Sequence, residues 1–486
     1  MRWCAVPGWP VERMTVRMSA DPVDAVVVGG GIGALATAFR LRERAPAARI
    51  VLVEAGQRLG GVLATTRTGD GLVAEHGPDS LVRSKPAAMR LVHDLGLDGE
   101  VVGTRPEART ALVARGRRLI PVPEGLYLLA PGRLLPFVRS PLLSWAGKAR
   151  MALDLLIPPR RGGGDESLAR FVRRRLGEEA LVRLAQPLVA GITTGDPERL
   201  SMQATFPQFL EAEQAHGSLI RAMMRRADAA AASGPRYSLF ASLRGGLASL
   251  VEALDARLAA VPRRLGTAAV AVAHSDAGWR VVLADGSVIA ARSVVVAVPA
   301  WAAAPLLAGI DPALARLLAA VPYAGCATMT VVVPEAQVAP LPEAAGFVVP
   351  AAEGRSLLAC TLVHRKYAGR TPAGMAHLRA FAGGALRGRD LELDDGALQA
   401  RLLADLRDLV GLRGEPAHVE LHRWPRSMCQ PELGHLVRTA AIRAREAALP
   451  GLRLVGNGYE GVGIPDLCAQ AEQAAAGLAA TLVSGR

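Results

Sequence analysis

Apolar and polar positions follow two different periods along this chain, and the switches between them outline its elements. Val23-Asp24-Ala25-Val26-Val27-Val28 is an almost unbroken apolar run, which predicts a strand covered on both faces. GIGALATAFRLRERA then spaces its apolar residues for a helix, and ARIVLVE returns to a strand that ends at Glu54. A hairpin-like stretch, TRTGDGLVAE, follows. In mid-chain, SLRGG precedes an amphipathic helix (LASLVEALDARL) and a strand around Thr267–Val272. The hairpin WRVVLADGSVIA, turning at Asp285-Gly286, leads from there into the apolar strand SVVVAVPA. Near the end, LRLVGNGYEGVGIPDLCAQAEQAAAGLAATL reads as a strand, a glycine-rich turn and a helix beginning near Pro465.

These signals predict an α/β protein with one discontinuous domain, built from residues 23–90, 235–300 and 440–486. Residues 91–234 and 301–439 are left for a mixed α+β substrate region. Its first part is helix-rich and basic, and its second has strand-like runs (CATMTVVVP, RSLLACTLV, AHVELHRW). Residues 1–22 are expected to be a disordered extension, with Met14 or Met18 as alternative starts.

Composition narrows the class. Of 486 residues 51% are apolar and 21% charged, which excludes a disordered chain. Cys4, Cys326, Cys360, Cys429 and Cys468 show no metal-ligand or redox spacing, so a reducing, cytoplasmic setting is expected. His418 and His422 are four apart in a strand-like segment, hence on one face but about 13 Å from each other; no metal site is expected. The excess of 57 Lys+Arg over 44 Asp+Glu, a formal +13, favours acidic partners. With 4% aromatics and no aromatic-basic stripe, nucleic acid is not among them. The uncharged runs Ser293–Ile310 and Leu317–Pro334 read as buried strands with loops rather than membrane helices.

The first turn carries the chemistry. Gly29-Gly30-Gly31-Ile32-Gly33-Ala34 is a G-x-G-x-x-A match between strand and helix, the mark of a Rossmann-like dinucleotide site. Gly29 permits the tight turn, Gly31 leaves room for a pyrophosphate at the helix N-terminus, and Ala34 lets the helix approach the sheet. Glu54, 23 residues after Gly31, would accept hydrogen bonds from ribose hydroxyls. The extension Glu54-Ala55-Gly56-Gln57-Arg58-Leu59-Gly60-Gly61 resembles the E-x-x-x-R-x-G-G element of flavin-dependent amine oxidases, which implies FAD. Arg58 would neutralise a pyrophosphate oxygen.

Further motifs resemble one group within that superfamily, the oxygen-dependent protoporphyrinogen and coproporphyrinogen III oxidases. They are EHGPDSLVRSKPAAMRLVHDLGL, GITTGDPERLSMQATFPQFLEAEQAHGSLIRAMM, RWPRSMCQPELGH and GNGYEGVGIPDLC, in that order. The resemblance implies a discontinuous FAD domain of the amine-oxidase/p-hydroxybenzoate-hydroxylase type. It implies FAD contacts at Gly29, Gly30, Gly31, Ile32, Gly33, Ala34, Glu54, Ala55, Arg58, Gly61, Val62, Gly77, Pro78, Asp79, Ser80, Ala269, Asn457, Val462, Gly463 and Ile464. Gly191 falls where the family has a glycine lining the tetrapyrrole pocket. The implied reaction passes hydride from a porphyrinogen meso carbon to the flavin with loss of a pyrrole proton. Dioxygen takes the electrons and leaves as hydrogen peroxide, and three such cycles remove six electrons. No catalytic residue is singled out; His435 and Glu213 lie in these motifs with structural roles expected.

Protoporphyrinogen IX and coproporphyrinogen III both remain open as substrate, as does a monomer or a homodimer. The competing readings are a flavin amine oxidase, a carotenoid-type desaturase, and a non-catalytic FAD-retaining porphyrin carrier. The segment GLYLLAPGRLLPFVRSPLLSWAGKARMALDLLIPPRR mixes Leu, Trp and Phe with Arg and Lys. That composition suits peripheral membrane contact at the inner face or a helix pair packed on the substrate domain.

Overall fold

The computed structural model describes residues 22–108, 110–232 and 240–484, so the expected extension and Cys4 lie outside the described residues. Two seven-stranded sheets organise the rest. Across the first sheet the strands run Arg263–Leu265, Ile50–Glu54, Val23–Val28, Val288–Val296, Gly278–Leu283, Ala269–Ser275, with Leu452–Leu454 also on Val288–Val296. The sheet thus draws on three stretches far apart in sequence. Its central strands pair in parallel.

The apolar run at Val23–Val28 has the physical cause its pattern suggests. Ala25 and Val27 face the first helix, Ile32–Arg44, and the last, Ile464–Ser484. Val26 and Val28 face the opposite layer, where Ala303, Leu307, Leu314 and Leu318 pack. A strand covered on both sides has no polar face to show. Gly33 lets the first helix lie close to the segment after Leu454 and to the last helix, because a Cβ there would lie 2.9 Å from Val455 Cγ1 and 3.7 Å from Leu467 Cδ2.

In the second sheet the order is His418–Cys429, Tyr323–Pro334, Met375–Gly383, Leu357–Leu362, Gly346–Val348, Ala111–Arg115, Arg118–Pro121. One face carries Met329, Val331, Leu378 and Ala380 against the helix Asp395–Val410. The other face is polar yet buried: Thr328, Thr330, His377 and Arg379 are each under 5% exposed, at 4%, 3%, 1% and 2%. It meets the cofactor-motif segment, where Thr328 Oγ1 donates to the His76 carbonyl at 2.6 Å.

One expectation needs correction. Ser293–Ile310 is not all strand and loop, since its second half is the helix Ala300–Leu307. Leu317–Pro334 likewise opens on the end of the helix Pro312–Ala319 before the strand Tyr323–Pro334 begins. Short apolar runs do not distinguish buried helix from buried strand, and alanine tips Ala300–Leu307 to helix. Among the described residues no helix is long and apolar enough to cross a membrane. The mixed region also holds a helical cluster around Phe171, Leu181, Met202 and Leu219.

Candidate flavin site

The strand-to-helix turn is shaped by what its glycines touch. Gly29 sits at φ +115°, and a side chain there would strike the Ala297 carbonyl. Gly31 is different: a Cβ on it would meet nothing within 4 Å, so the space before the first helix is open. No side chain caps that helix. Its first-turn N–H groups and positive dipole end therefore face an opening suited to a pyrophosphate.

The other motifs converge on this opening. Gly60 N–H donates to the Gly30 carbonyl at 2.8 Å, and a Cβ on Gly61 would lie 3.3 Å from Gly31 Cα. Gly77 in turn lies so close to the Val62 carbonyl that any side chain would fall on it. Val62 itself is 38% exposed, an apolar residue on an open wall. The structure thus brings Gly31, Gly61, Val62 and Gly77 side by side. Glu54 accepts the Gly56 N–H at 2.7 Å through Oε1, and Thr267 N–H donates to the Glu54 carbonyl at 3.2 Å. Ala269, two residues on, opens the strand Ala269–Ser275. These features fit a dinucleotide flavin.

Several predicted site residues are placed differently from expectation. Arg58 bends over its own loop, donating to the carbonyls of Leu59 (3.1 Å), Gly61 (2.6 Å) and Leu63 (3.3 Å). It braces the glycine pair beside Gly31. The Asn457 amide is engaged within the protein, accepting from Tyr323 Oη at 3.0 Å and donating to the Ser427 carbonyl at 2.8 Å. Gly463 N–H bonds Asp466 Oδ2 at 3.0 Å, and Lys85 reaches Asp466 Oδ1 at 2.7 Å. At the 457–464 turn the Asn457 amide is thus held by protein partners on both sides.

Asp79 shows the largest departure. Its carboxylate bonds Lys366 Nζ at 2.8 Å and accepts from Ser80 Oγ at 2.8 Å, with Arg379 Nη1 at 3.9 Å. Burial alone would raise its pKa, but Lys366 and Arg379 more than offset this and hold it well below the usual carboxylate range. Arg379 also donates to the Gly77 carbonyl. Arg370 bonds Ser242 Oγ at 2.7 Å and lies 3.6 Å from Glu75, whose pKa burial pushes up. The Asp79 carboxylate is thus engaged by Lys366, Ser80 and Arg379 beside the Gly77-Pro78 turn.

Lys366, Arg370 and Arg379 were not singled out from sequence. The available signal is the alternation of MAHLRAFAG, which puts His377 and Arg379 on one face; a strand's polar face normally meets solvent, and here it meets another domain. Beside them burial pushes the His377 imidazole down to about 3, with Arg379 and Arg370 acting in the same direction.

Gly191 lies on the helix Gln186–Thr193, which continues a π-helical turn at Leu181–Ala185. A Cβ there would meet Val348 of the second sheet at 3.1 Å. Gln430 Nε2 donates to the Thr193 carbonyl at 3.1 Å, tying this helix to the strand end that also holds Asn457. Glu213 pairs with Arg174, and His435 Nε2 lies 3.1 Å from the Tyr459 carbonyl, so neither faces the opening described above.

Residues 35–479 match the family described as flavin containing amine oxidoreductase. The chain is 35% identical to the coproporphyrinogen III oxidase of Bacillus subtilis (strain 168), covering 94% of this chain and 98% of that protein. It is 32% identical to the protoporphyrinogen oxidase of Bos taurus over 93% of this chain and 97% of that one. A solved structure named as a candidate protoporphyrinogen oxidase from Exiguobacterium sp. 255-15 superposes with a TM-score of 0.85. It shares 32% identity and covers 96% of this chain and 100% of its own. The open glycine cradle and this whole-length similarity agree, and the chain belongs to the flavin containing amine oxidoreductase family as a flavin-dependent oxidoreductase.

Proposed function

We propose that this chain is an FAD-dependent, oxygen-utilising porphyrinogen oxidase of haem biosynthesis, with coproporphyrinogen III as its favoured substrate. The observation that carries the reading is similarity across both the cofactor-motif and substrate regions to a coproporphyrinogen III oxidase, covering 94% of the chain. The formal charge of +13 also suits the more acidic of the two porphyrinogens, which bears four propionates.

Bound flavin supplies a two-electron acceptor that dioxygen can regenerate with release of hydrogen peroxide. The chain's own residues bind and orient. The first-turn N–H groups around Gly31 would hold phosphate, and Glu54 would accept hydrogen bonds from ribose hydroxyls. Arg379, anchored by Asp79, holds the Gly77 carbonyl and so fixes the turn that borders the reaction space. Gly191 and the second sheet contribute a wall for the flat macrocycle, which leaves as a porphyrin after six electrons have been removed in three steps.

The enzyme works in the cytoplasm in this reading, supported by free cysteines at Cys326, Cys360, Cys429 and Cys468. It also touches a membrane surface peripherally. Leu135, Trp145 and Leu156 are 60%, 72% and 78% exposed, and Lys148 stacks on the Trp145 ring. Full recovery in the soluble fraction at low and high salt would remove that part.

The decisive experiment supplies each porphyrinogen to purified protein in air and follows porphyrin fluorescence, peroxide and flavin absorbance. Faster porphyrin formation from coproporphyrinogen III, above the spontaneous rate and with peroxide, is expected. Bound flavin with turnover of neither substrate would reject the proposal.

A further inference from the structure

A second constellation lies where the Thr65–Arg67/Val73–Glu75 hairpin meets the edge strand His418–Cys429 of the second sheet. The period of two puts His418, Glu420 and His422 on one face of that strand. Four residues is too long a step for the two histidines to share a ligand by themselves. Glu420 stands between them, and His76 arrives from the cofactor-motif segment. One ligand atom from each of His76, Glu420 and His422 lies within 4.8 Å of the others. Nε2 of His76 and Nε2 of His422 are 3.2 Å and 2.8 Å from the same Glu420 oxygen. His418 Nε2 is 3.6 Å from the other oxygen. Thr66 Oγ1 donates to Glu420 at 2.9 Å and lies 2.8 Å from His76 Nε2.

The cluster is not satisfied from within. His418 Nε2 and Glu420 Oε2 are buried and lack a hydrogen-bond partner, and His422 Nε2 has the Glu420 carboxylate 2.8 Å away. A buried polar atom left without a partner is destabilising. A cation that accepts lone pairs from imidazole nitrogen and carboxylate oxygen together would engage the His422 nitrogen and the Glu420 carboxylate. The His76 and His422 rings stack at 3.5 Å with 14° between planes, so their lone pairs lie in nearly parallel planes. Sharing one ion requires one ring to turn about its soft outer torsion.

We propose that His76, Glu420 and His422 bind one divalent transition-metal ion, Zn2+ in the first instance, as a clamp between the two regions. Two imidazoles and a carboxylate suit Zn2+ and its neighbours rather than Mg2+ or Ca2+, and three protein ligands leave a position for water. The clamp acts on the flavin turn, because His76 directly precedes Gly77. The His76 carbonyl is already held by Trp424 Nε1 at 2.8 Å and Thr328 Oγ1 at 2.6 Å. A metal on the ring would fix the same residue from its other end. The ion has no redox duty here, and the site stands whether or not porphyrinogens are the substrate.

The test uses full-length flavoprotein stripped with a chelator, dialysed, and titrated calorimetrically with ZnCl2, with MgCl2 in parallel. One Zn2+ per chain is expected, with Mg2+ at least about tenfold weaker. His422→Gln should weaken Zn2+ binding by about tenfold or more, while His93→Gln, at an exposed histidine elsewhere, should leave it unchanged. Flavin absorbance and circular dichroism report whether each variant is folded. If His422→Gln does not fold, anomalous scattering at the zinc edge from wild-type crystals decides. A peak about 2.0–2.2 Å from His76, Glu420 and His422 supports the site. Peaks only elsewhere, no stoichiometric binding, or equal binding by a folded His422→Gln overturns it.

Discussion

Two buried ion clusters in this protein look alike in composition and differ in what they join. In the helical region Arg175 is fully buried and every bond it makes stays inside that region. It donates to Asp154 Oδ1 at 2.6 Å, to the Ile157 carbonyl at 2.8 Å and to the Gly217 carbonyl at 2.8 Å. Ile220 N–H and Ser218 Oγ complete Asp154 at 3.0 Å and 2.5 Å. Next to it Arg174 pairs with Glu213 and Glu166. At the seam Glu75 and Asp79 from the cofactor-motif segment instead meet Lys366, Arg370 and Arg379 from the substrate region. There cations outnumber carboxylates, and the Nε atoms of Arg370 and Arg379 have no partner. The first cluster holds one region's fold. The second makes the packing of two regions and the position of the Gly77 turn a single event.

That contrast can be broken by substitution. Arg175→Met should have the largest effect, about 3–5 kcal/mol, since Asp154 stays buried without its countercharge. Thermal unfolding would show it, and the folded fraction should still carry flavin normally. A drop in flavin per folded molecule would erase the distinction drawn here. Arg379→Met should cost less, about 1.5–3 kcal/mol, because Lys366 remains on Asp79. Its signature is a lower ratio of flavin to protein absorbance, and unchanged occupancy would sever the seam from the cofactor.

Acidification should act on the seam by degrees rather than in one step, with a total loss comparable to that of the substitutions above. His377 binds its proton in the unfolded chain near 6.5 but only at about 3 in the folded one. As pH falls below 6.5 the unfolded state gains a proton the folded state refuses. Stability is therefore lost between about 6.5 and 3, by up to about 1.4 kcal/mol per pH unit, and the loss levels off below. Denaturant unfolding across that range should show the slope, and His377→Gln should flatten it. The smallest effect on stability is expected for Gly31→Ala, within about 0.5 kcal/mol, because its Cβ meets open space at a permitted φ of −73°. Flavin affinity, measured by fluorescence titration of the apoprotein, should nevertheless fall by about tenfold or more, as the new methyl occupies phosphate space.

Reading outward from single residues, the cofactor cradle was the legible part. Gly29, Gly31 and Glu54 act through backbone shape and one carboxylate within a short stretch, so spacing alone locates them. Asp79 and Asn457 were legible as motif members, yet their side chains serve protein contacts that only packing creates. The helix at Ala300–Leu307 was misread because an uncharged run looks the same in a buried strand and a buried helix.

Local periodicity and glycine placement in the sequence were enough to determine the α/β class and to locate the glycine turn between the first strand and the first helix. These depend on residues near one another, where φ, side-chain period and helix dipole act directly. The tertiary structure alone decided that Lys366, Arg370 and Arg379 meet Glu75 and Asp79, and that His76 joins Glu420 and His422. Those partners lie hundreds of residues apart, on strand faces whose polarity reads as solvent-exposed until another domain covers them. Burial turns ordinary surface charges into paired, strongly coupled ones, and burial is a property of the assembled fold.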